Sequence, residues 1–496
     1  MTSASLPVRF RSASAIAVFV SAALLASACG GSPPNHQSAT ADVTAIAALP
    51  ACPVGALDNV TTPVTVTLWH FLSGKTGDTL KALAASYNAS QSKVRVQVES
   101  QGTSNDELFK KYQAGIKNND LPGIAVMDDT VTQQLIDSKT LLPAQSCINA
   151  DNYDMSDFLK TGKDYYTVDG VLWPASLNLS GALLYYNKGH FRKAGMDPER
   201  APQTLGEIRE YAQRIKDAGV VAQPVALKVN SPMLEMWLTG AGEALVNNAD
   251  GRGSDSTDQS TYDNPTTVAL YAWISDMNRD GLLQVIPDTP GQINQYLAMA
   301  QGTASMTIET STAATSVEAF LGGTLDTSSV AGGNGLSGVD PNALDLGAAQ
   351  VPGINAPGCL QMGGGAWYMM NTTSPEVQAG AWDFMKYFNS LESQVTWNIN
   401  ASYLPYRTSA TKDPAVVKAW TTTLSGRWLA IAYDELIYGV DPALPGPLIG
   451  PYEQFRSAVR KSIDDMVFKS STPDDSVKQA AAETTAALDQ YNRENF

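Results

Sequence analysis

Two adjacent carboxylates, Asp128 and Asp129, close a short apolar run, Gly123-Ile124-Ala125-Val126-Met127. Such a run reads as a buried strand. In open α/β sheets ligands sit beyond the carboxyl ends of the strands, so the acidic pair stands where a binding group would. Carboxylates there could hold hydroxyls by charge-assisted hydrogen bonds, or act as acid and base on a glycosidic bond. The second chemistry needs two carboxyls on opposite sides of one bond, whereas neighbours on an extended chain point to opposite faces. Binding is therefore the better reading of the pair. Other chemistries lack their residues. The histidines are three (His36, His70, His190) and form no HExxH motif, and there is no GxSxG elbow and no Walker A loop. Gly333-Asn334-Gly335-Leu336-Ser337-Gly338 matches GxGxxG in letters but lies in a polar stretch with no strand before it. Asn248-Ala249-Asp250-Gly251 lacks the closing Glu of a calcium loop. No metal or cofactor is expected, and no catalytic residue is assigned.

The elements that must position Asp128 and Asp129 are legible on either side. Residues 64–69 (Val-Thr-Val-Thr-Leu-Trp) and 94–98 (Val-Arg-Val-Gln-Val) read as strands, with an amphipathic helix over 79–87 between them. Strand, helix and strand within about 35 residues make a βαβ unit, which implies a parallel sheet. A helix over 106–118 then leads to the run that ends at the acidic pair. Thr204-Leu205-Gly206-Glu207 is a capping box, followed by an apolar face of Leu205, Ile208, Tyr211, Ala212 and Ile215 and stopped by Gly219. Ser374 and Pro375 open another helix that buries Val377, Ala381, Trp382, Met385 and Phe388. Residues 247–260 and 324–342 read as long surface loops.

The chain has 496 residues, more than one domain usually holds. Its formal charge of −16, from 33 Lys and Arg against 49 Asp and Glu, argues against nucleic acid as a partner. Residues 1–28 carry Arg9 and Arg11 ahead of an apolar stretch, the pattern of a secretory signal. The segment ends Leu24-Leu25-Ala26-Ser27-Ala28-Cys29-Gly30, which resembles a bacterial lipobox with Ala26 in place of the usual Leu. The resemblance implies a lipid on Cys29 and residence on the outer face of the cytoplasmic membrane. Residues 29–63, rich in Ser, Pro, Ala and Thr, read as a flexible tether. Outside the cytosol the remaining Cys52, Cys147 and Cys359 can pair in three ways. Cys52–Cys147 is favoured because both flank the same predicted unit.

Several segments together resemble the extracytoplasmic solute-binding proteins of carbohydrate ABC importers. They are Trp69-His70-Phe71-Leu72-Ser73-Gly74, Leu121-Pro122-Gly123-Ile124, Leu184-Tyr185-Tyr186-Asn187-Lys188 with Phe191 and Ala194-Gly195, Ala304-Ser305-Met306-Thr307, Gly363-Gly364-Gly365 and Ser402-Tyr403-Leu404-Pro405. They span residues 64–464. The resemblance implies an α/β, two-lobed periplasmic-binding-protein fold of type II, like maltose-binding protein, with a hinged ligand cleft. It places crossings between lobes near 178–182, 363–365 and 400–403. Lobe 1 would then be 64–180 with 365–400, and lobe 2 would be 181–364 with 401–496. It implies a monomer that hands a small polar solute (a sugar, polyol or glycerophosphodiester) to membrane permease subunits, and no enzyme.

Within that family the glycerophosphate and glycerophosphodiester binders are the most similar in motif. Carried over residue by residue, their binding carboxylate falls on Asp129, with Asp128 beside it, their serine on Ser180, their glycine on Gly364 and their tyrosine on Tyr403. Their second-lobe serine falls on Thr310 and their first-lobe tyrosine on Asn105. Their stacking tryptophans fall near Lys228 and Ser231, where no aromatic stands, so Trp237 or Trp69 is expected to cover a sugar face. Their phosphate-binding arginine falls on Leu448. Leucine offers no donor to a phosphate dianion, which favours an uncharged, hydroxyl-rich ligand. A secreted glycoside-acting enzyme, or an adhesion or signalling module on the same fold, are the competing readings.

Overall fold

The computed structural model describes residues 49–287, 293–330, 332–358 and 361–496. The expected leader, the lipidation site Cys29, the first part of the tether and Cys359 lie outside the described residues. The strands are β1 Val64–His70, β2 Val94–Ser100, β3 Ile124–Asp128, β4 Leu141–Leu142, β5 Thr167–Val168, β6 Val171–Leu172, β7 Ser176–Ser180, β8 Ala182–Asn187, β9 Val225–Leu227, β10 Leu283–Val285, β11 Met306–Thr310, β12 Leu346–Ala349 and β13 Gly363–Met370.

Among the described residues the chain builds two large sheets and a two-stranded one, β5-β6. The first runs β2-β1-β3-β13-β4, with β7 also paired to β13. Its β1, β2 and β3 are parallel, as the βαβ pattern requires, with helices Gly74–Ser90 and Asn105–Asn118 as the crossovers. β13 enters antiparallel between β3 and β4. The second sheet runs β10-β9-β11-β8-β12 and mixes parallel with antiparallel pairs.

Three passages join the sheets. The first is Gly181, the single residue between β7 and β8. The second is the segment from β12 back to β13. The third follows helix Leu391–Ala401. Leu404 bridges to Leu179 and Phe158 to Arg407, while Arg407, Thr408 and Ser409 all bond Asp157. Residues 404–409 are thus fixed to the first sheet's side, and helix Leu424–Tyr438 packs on β7 as well as on β8 and β12.

Local chemistry explains the element ends. Thr204 Oγ1 accepts the Glu207 N–H at 3.2 Å, and the Glu207 carboxylate accepts the Gln203 N–H at 2.7 Å. The cap is therefore reciprocal but reaches one residue further back than the motif predicts. Helix Leu205–Asp217 buries the five apolar residues read from its sequence. Ser374 caps helix Pro375–Phe388, where Trp382 is buried with its indole N–H on Asp151 at 2.9 Å. Cys52 and Cys147 form a disulfide, tying the segment before β1 to helix Ala144–Asp151. Residues 247–260 are more than a surface loop. Asn248, Ala249 and Asp250 are left-handed, and Asp250 is fully buried, accepting the N–H groups of Leu245 and Val246. Among the described residues no helix is long and apolar enough to cross a membrane.

Candidate ligand-binding cleft

Each sheet aims one strand end at the gap between the lobes, and both ends are built alike. β3 finishes at Asp128, whose carboxylate accepts the Thr130 N–H and caps the 3-10 turn Asp129–Val131. β11 finishes at Thr310, whose hydroxyl accepts the Thr312 N–H and caps the 3-10 turn Ser311–Ala313. A short polar residue at the strand terminus stops the ladder and starts a turn by offering the backbone a local bond. The sequence thereby brings Asp128, Asp129 and Thr310 to face a common space.

That space is a cleft of about 490 Å³. Seven of the nine expected ligand residues line it: Asn105, Asp128, Asp129, Ser180, Thr310, Gly364 and Tyr403. Asn105 begins its helix and donates to Asp128 at 2.7 Å, leaving its own buried Oδ1 without a partner. Asp129 is 8 % exposed and accepts the Tyr165 hydroxyl at 2.6 Å. Burial raises its pKa well above the usual carboxylate range, the neighbouring Asp128 charge adds to this, and the Tyr165 hydrogen bond opposes it. Gly364 must be glycine. Its φ is +124°, and a Cβ there would lie 1.9 Å from the Asn178 carbonyl oxygen. Tyr403 stacks flat on Trp397, with ring centroids 5.4 Å apart. Ser402, before it, is left-handed and bonds Thr315 across the gap at 2.8 Å.

The two tryptophans do not reach the cleft. Trp69 is buried inside β1 beneath Lys111, whose ammonium lies 5.5 Å from the ring centre, and Phe71 is the aromatic that lines the cleft instead. Trp237 is 1 % exposed, donates to the Pro352 carbonyl at 2.9 Å and packs edge-on against Trp273. Its helix, Ser231–Gly240, turns Met233 and Met236 to the cleft, and one further residue rotates about 100° away. His70 is also core, its pKa lowered to about 4, chiefly by burial.

Leu448 is not at the ligand either. It packs beside Gly251, with its N–H on the Asp250 carbonyl, and lies outside the cleft lining. A guanidinium does line the cleft, contrary to the expectation drawn from Leu448. It belongs to Arg456, one turn into helix Tyr452–Lys469. Arg456 is committed to protein: its Nε and Nη2 each reach fully buried Glu235 at 3.0 Å, and Nη1 lies 3.7 Å from Asp128.

Sequence reasoning missed Arg456, Glu235, Glu309 and Asn178, and reached Lys228 only as the place where a stacking tryptophan is absent. Only Asn178 carried a usable signal, since it shares a strand face with Ser180 two residues on. Its Oδ1 accepts the indole N–H groups of Trp367 and Trp397 at 2.9 and 3.0 Å, and its buried Nδ2 has no partner. The cleft thus holds four carboxylates against two cations, with one unpaired amide donor and one unpaired amide acceptor. Among the described residues no cluster of three or more His, Cys, Asp or Glu is disposed to hold a metal ion.

Two lobes of this topology, three connecting passages and a polar cleft between strand ends define a type II periplasmic-binding-protein fold of the maltose-binding-protein kind. Solved structures agree. The acarbose-binding GacH receptor of Streptomyces glaucescens superposes with a TM-score of 0.68 at 18 % identity, over 86 % of this chain and 98 % of that one. UgpB from Mycobacterium tuberculosis, solved with glycerophosphocholine, gives 0.68 at 18 % identity over 87 % of this chain and all of that one. The model of the bacterial extracellular solute-binding protein family matches residues 82–423, so the chain belongs to that family, the substrate-binding components of ABC importers. It acts outside the cytoplasm. The sn-glycerol-3-phosphate-binding periplasmic protein UgpB of Shigella dysenteriae is 24 % identical over 362 residues, covering 71 % of this chain and 77 % of that protein. Its Escherichia coli K12 counterpart is 23 % identical over 359 residues.

Proposed function

We propose that the cleft captures an uncharged sugar or polyol, without catalysis, and that the protein delivers it as a monomer to its permease from a lipid anchor on Cys29. The observation that carries the solute class is the charge and pairing of the cleft. Four carboxylates face two cations, and the guanidinium best suited to a phosphate already gives its Nε–Nη2 edge to Glu235. A phosphate dianion entering there would meet net repulsion from the carboxylates. Sugar hydroxyls donate and accept, and so suit Asp129 together with the unpaired Asn178 amide donor and Asn105 amide acceptor. The exposed side of the Tyr403 ring suits the apolar face of a pyranose. The division into lobes 64–180 with 365–400 and 181–364 with 401–496, amended at 404–409, supplies the moving parts.

Glycerophosphodiester binding is the second reading, favoured by the named UgpB relatives and by the presence of Arg456 in the cleft. A thermal-shift screen of the mature protein against neutral sugars, polyols, glycerol 3-phosphate and glycerophosphocholine separates the two, because a ligand of the folded state raises the melting temperature. Stabilisation by a neutral compound and none by the phosphates is expected; the reverse pattern removes the first reading.

A further inference from the structure

A second cavity of about 300 Å³ adjoins the cleft and shares Phe71, Thr312 and Tyr403 with it. The second cavity has a different chemistry. Leu72 faces it from the first lobe, and Val317, Phe320, Leu336 and Leu346 from the second; among the described residues no Asp, Glu, Lys or Arg lines it. Two hydroxyls in its wall are out of keeping. Thr307 is fully buried, and neither its Oγ1 nor the buried Tyr296 Oη has a hydrogen-bond partner. Buried hydroxyls are nearly always paired, so two orphans in one apolar chamber mark where a ligand oxygen would sit.

We propose that this chamber receives an acyl or alkyl substituent of the solute, so that the ligand is amphiphilic: a polyhydroxyl head in the cleft and an apolar tail behind Tyr403. The proposal rests on the reading of the cleft as a site for an uncharged polyhydroxyl solute. A bare sugar would leave the chamber to water against apolar walls. Each methylene placed there instead gains about fourfold in affinity from its removal from water. An ester or ether oxygen at the root of the tail would accept from Thr307 or Tyr296.

The test is titration calorimetry on the full mature protein with matched methyl and octyl glycosides of glucose, galactose and maltose, the octyl compounds kept below micelle formation. A neutral apolar dye, N-phenyl-1-naphthylamine, probes the chamber alone. Expected are an octyl glycoside at least tenfold tighter than its methyl partner, dye uptake, and loss of both effects in Ser316→Phe with methyl-glycoside affinity retained. Ala313→Leu, a smaller filling, should reduce both effects and serves if Ser316→Phe does not fold. Equal methyl and octyl affinities, or an octyl gain that survives the filling variants, would overturn the inference while leaving the sugar reading intact. Dye uptake with no glycoside bound at all would overturn the sugar reading and, with it, the amphiphile.

Discussion

Asp129 is the residue on which both binding and titration converge. Its pKa is raised by burial and by the Asp128 charge. Between the ordinary carboxylate range and that raised value the folded protein holds a proton that the unfolded chain has lost, so this group's contribution to stability falls as pH rises. Asp129→Asn removes the titration while keeping an acceptor for the Tyr165 hydroxyl. The ligand-free variant should therefore melt close to wild type near pH ~4 and above it at pH ~7, followed by thermal melts across pH. Its ligand affinity should drop by about 0.5–1.5 kcal/mol, the worth of a hydrogen bond between neutral groups. A melting difference independent of pH would mean that Asp129 does not titrate in this way. At this scale the sequence was informative about placement where the chain leaves a strand, as at Asp128, Asp129 and Thr310, because strand ends in such sheets face the cleft by topology. It was uninformative for the tryptophans. An aromatic one position off the exposed helix or strand face becomes core, as Trp237 and Trp69 do, and no local pattern at those positions tells the two outcomes apart.

Two contacts tie distant elements together, one of them in the cleft wall. The Glu235–Arg456 pair joins helix Ser231–Gly240 to helix Tyr452–Lys469, with the Tyr452 hydroxyl also on Glu235 at 3.0 Å. Removing one partner leaves a charge buried and uncompensated, so Arg456→Met should cost about 3–5 kcal/mol in urea denaturation, and adding Glu235→Gln should restore most of it. A double variant no better than the single would show that the arginine acts through packing alone. Neither residue was legible, since the partners are 221 positions apart and each sits in a helix of ordinary composition. The Cys52–Cys147 disulfide closes a separation of 95 residues. Cys52→Ala with Cys147→Ala should lower stability by about 2–5 kcal/mol, read as a lower melting temperature that reductant no longer changes. An unchanged melting temperature would show that the bond contributes nothing to the native balance. The helices with caps, the parallel βαβ start and the strand before the acidic pair were all readable, because their signals are local. The entry of β13 between β3 and β4 was not, since register between segments some 240 residues apart has no local trace.

At the scale of the whole molecule, the proposed ligand is an uncharged polyhydroxyl solute enclosed between two lobes, in a cleft rich in carboxylates and amides whose arginine already pairs with Glu235. The measurement closest to this is calorimetric titration of the mature protein, side by side, with the best neutral sugar or polyol and with glycerol 3-phosphate. Expected are saturable binding of the neutral ligand, weakened in Asp129→Asn, and no measurable heat from glycerol 3-phosphate at the same concentrations. Tight binding of glycerol 3-phosphate, lost in Arg456→Met, would contradict this reading.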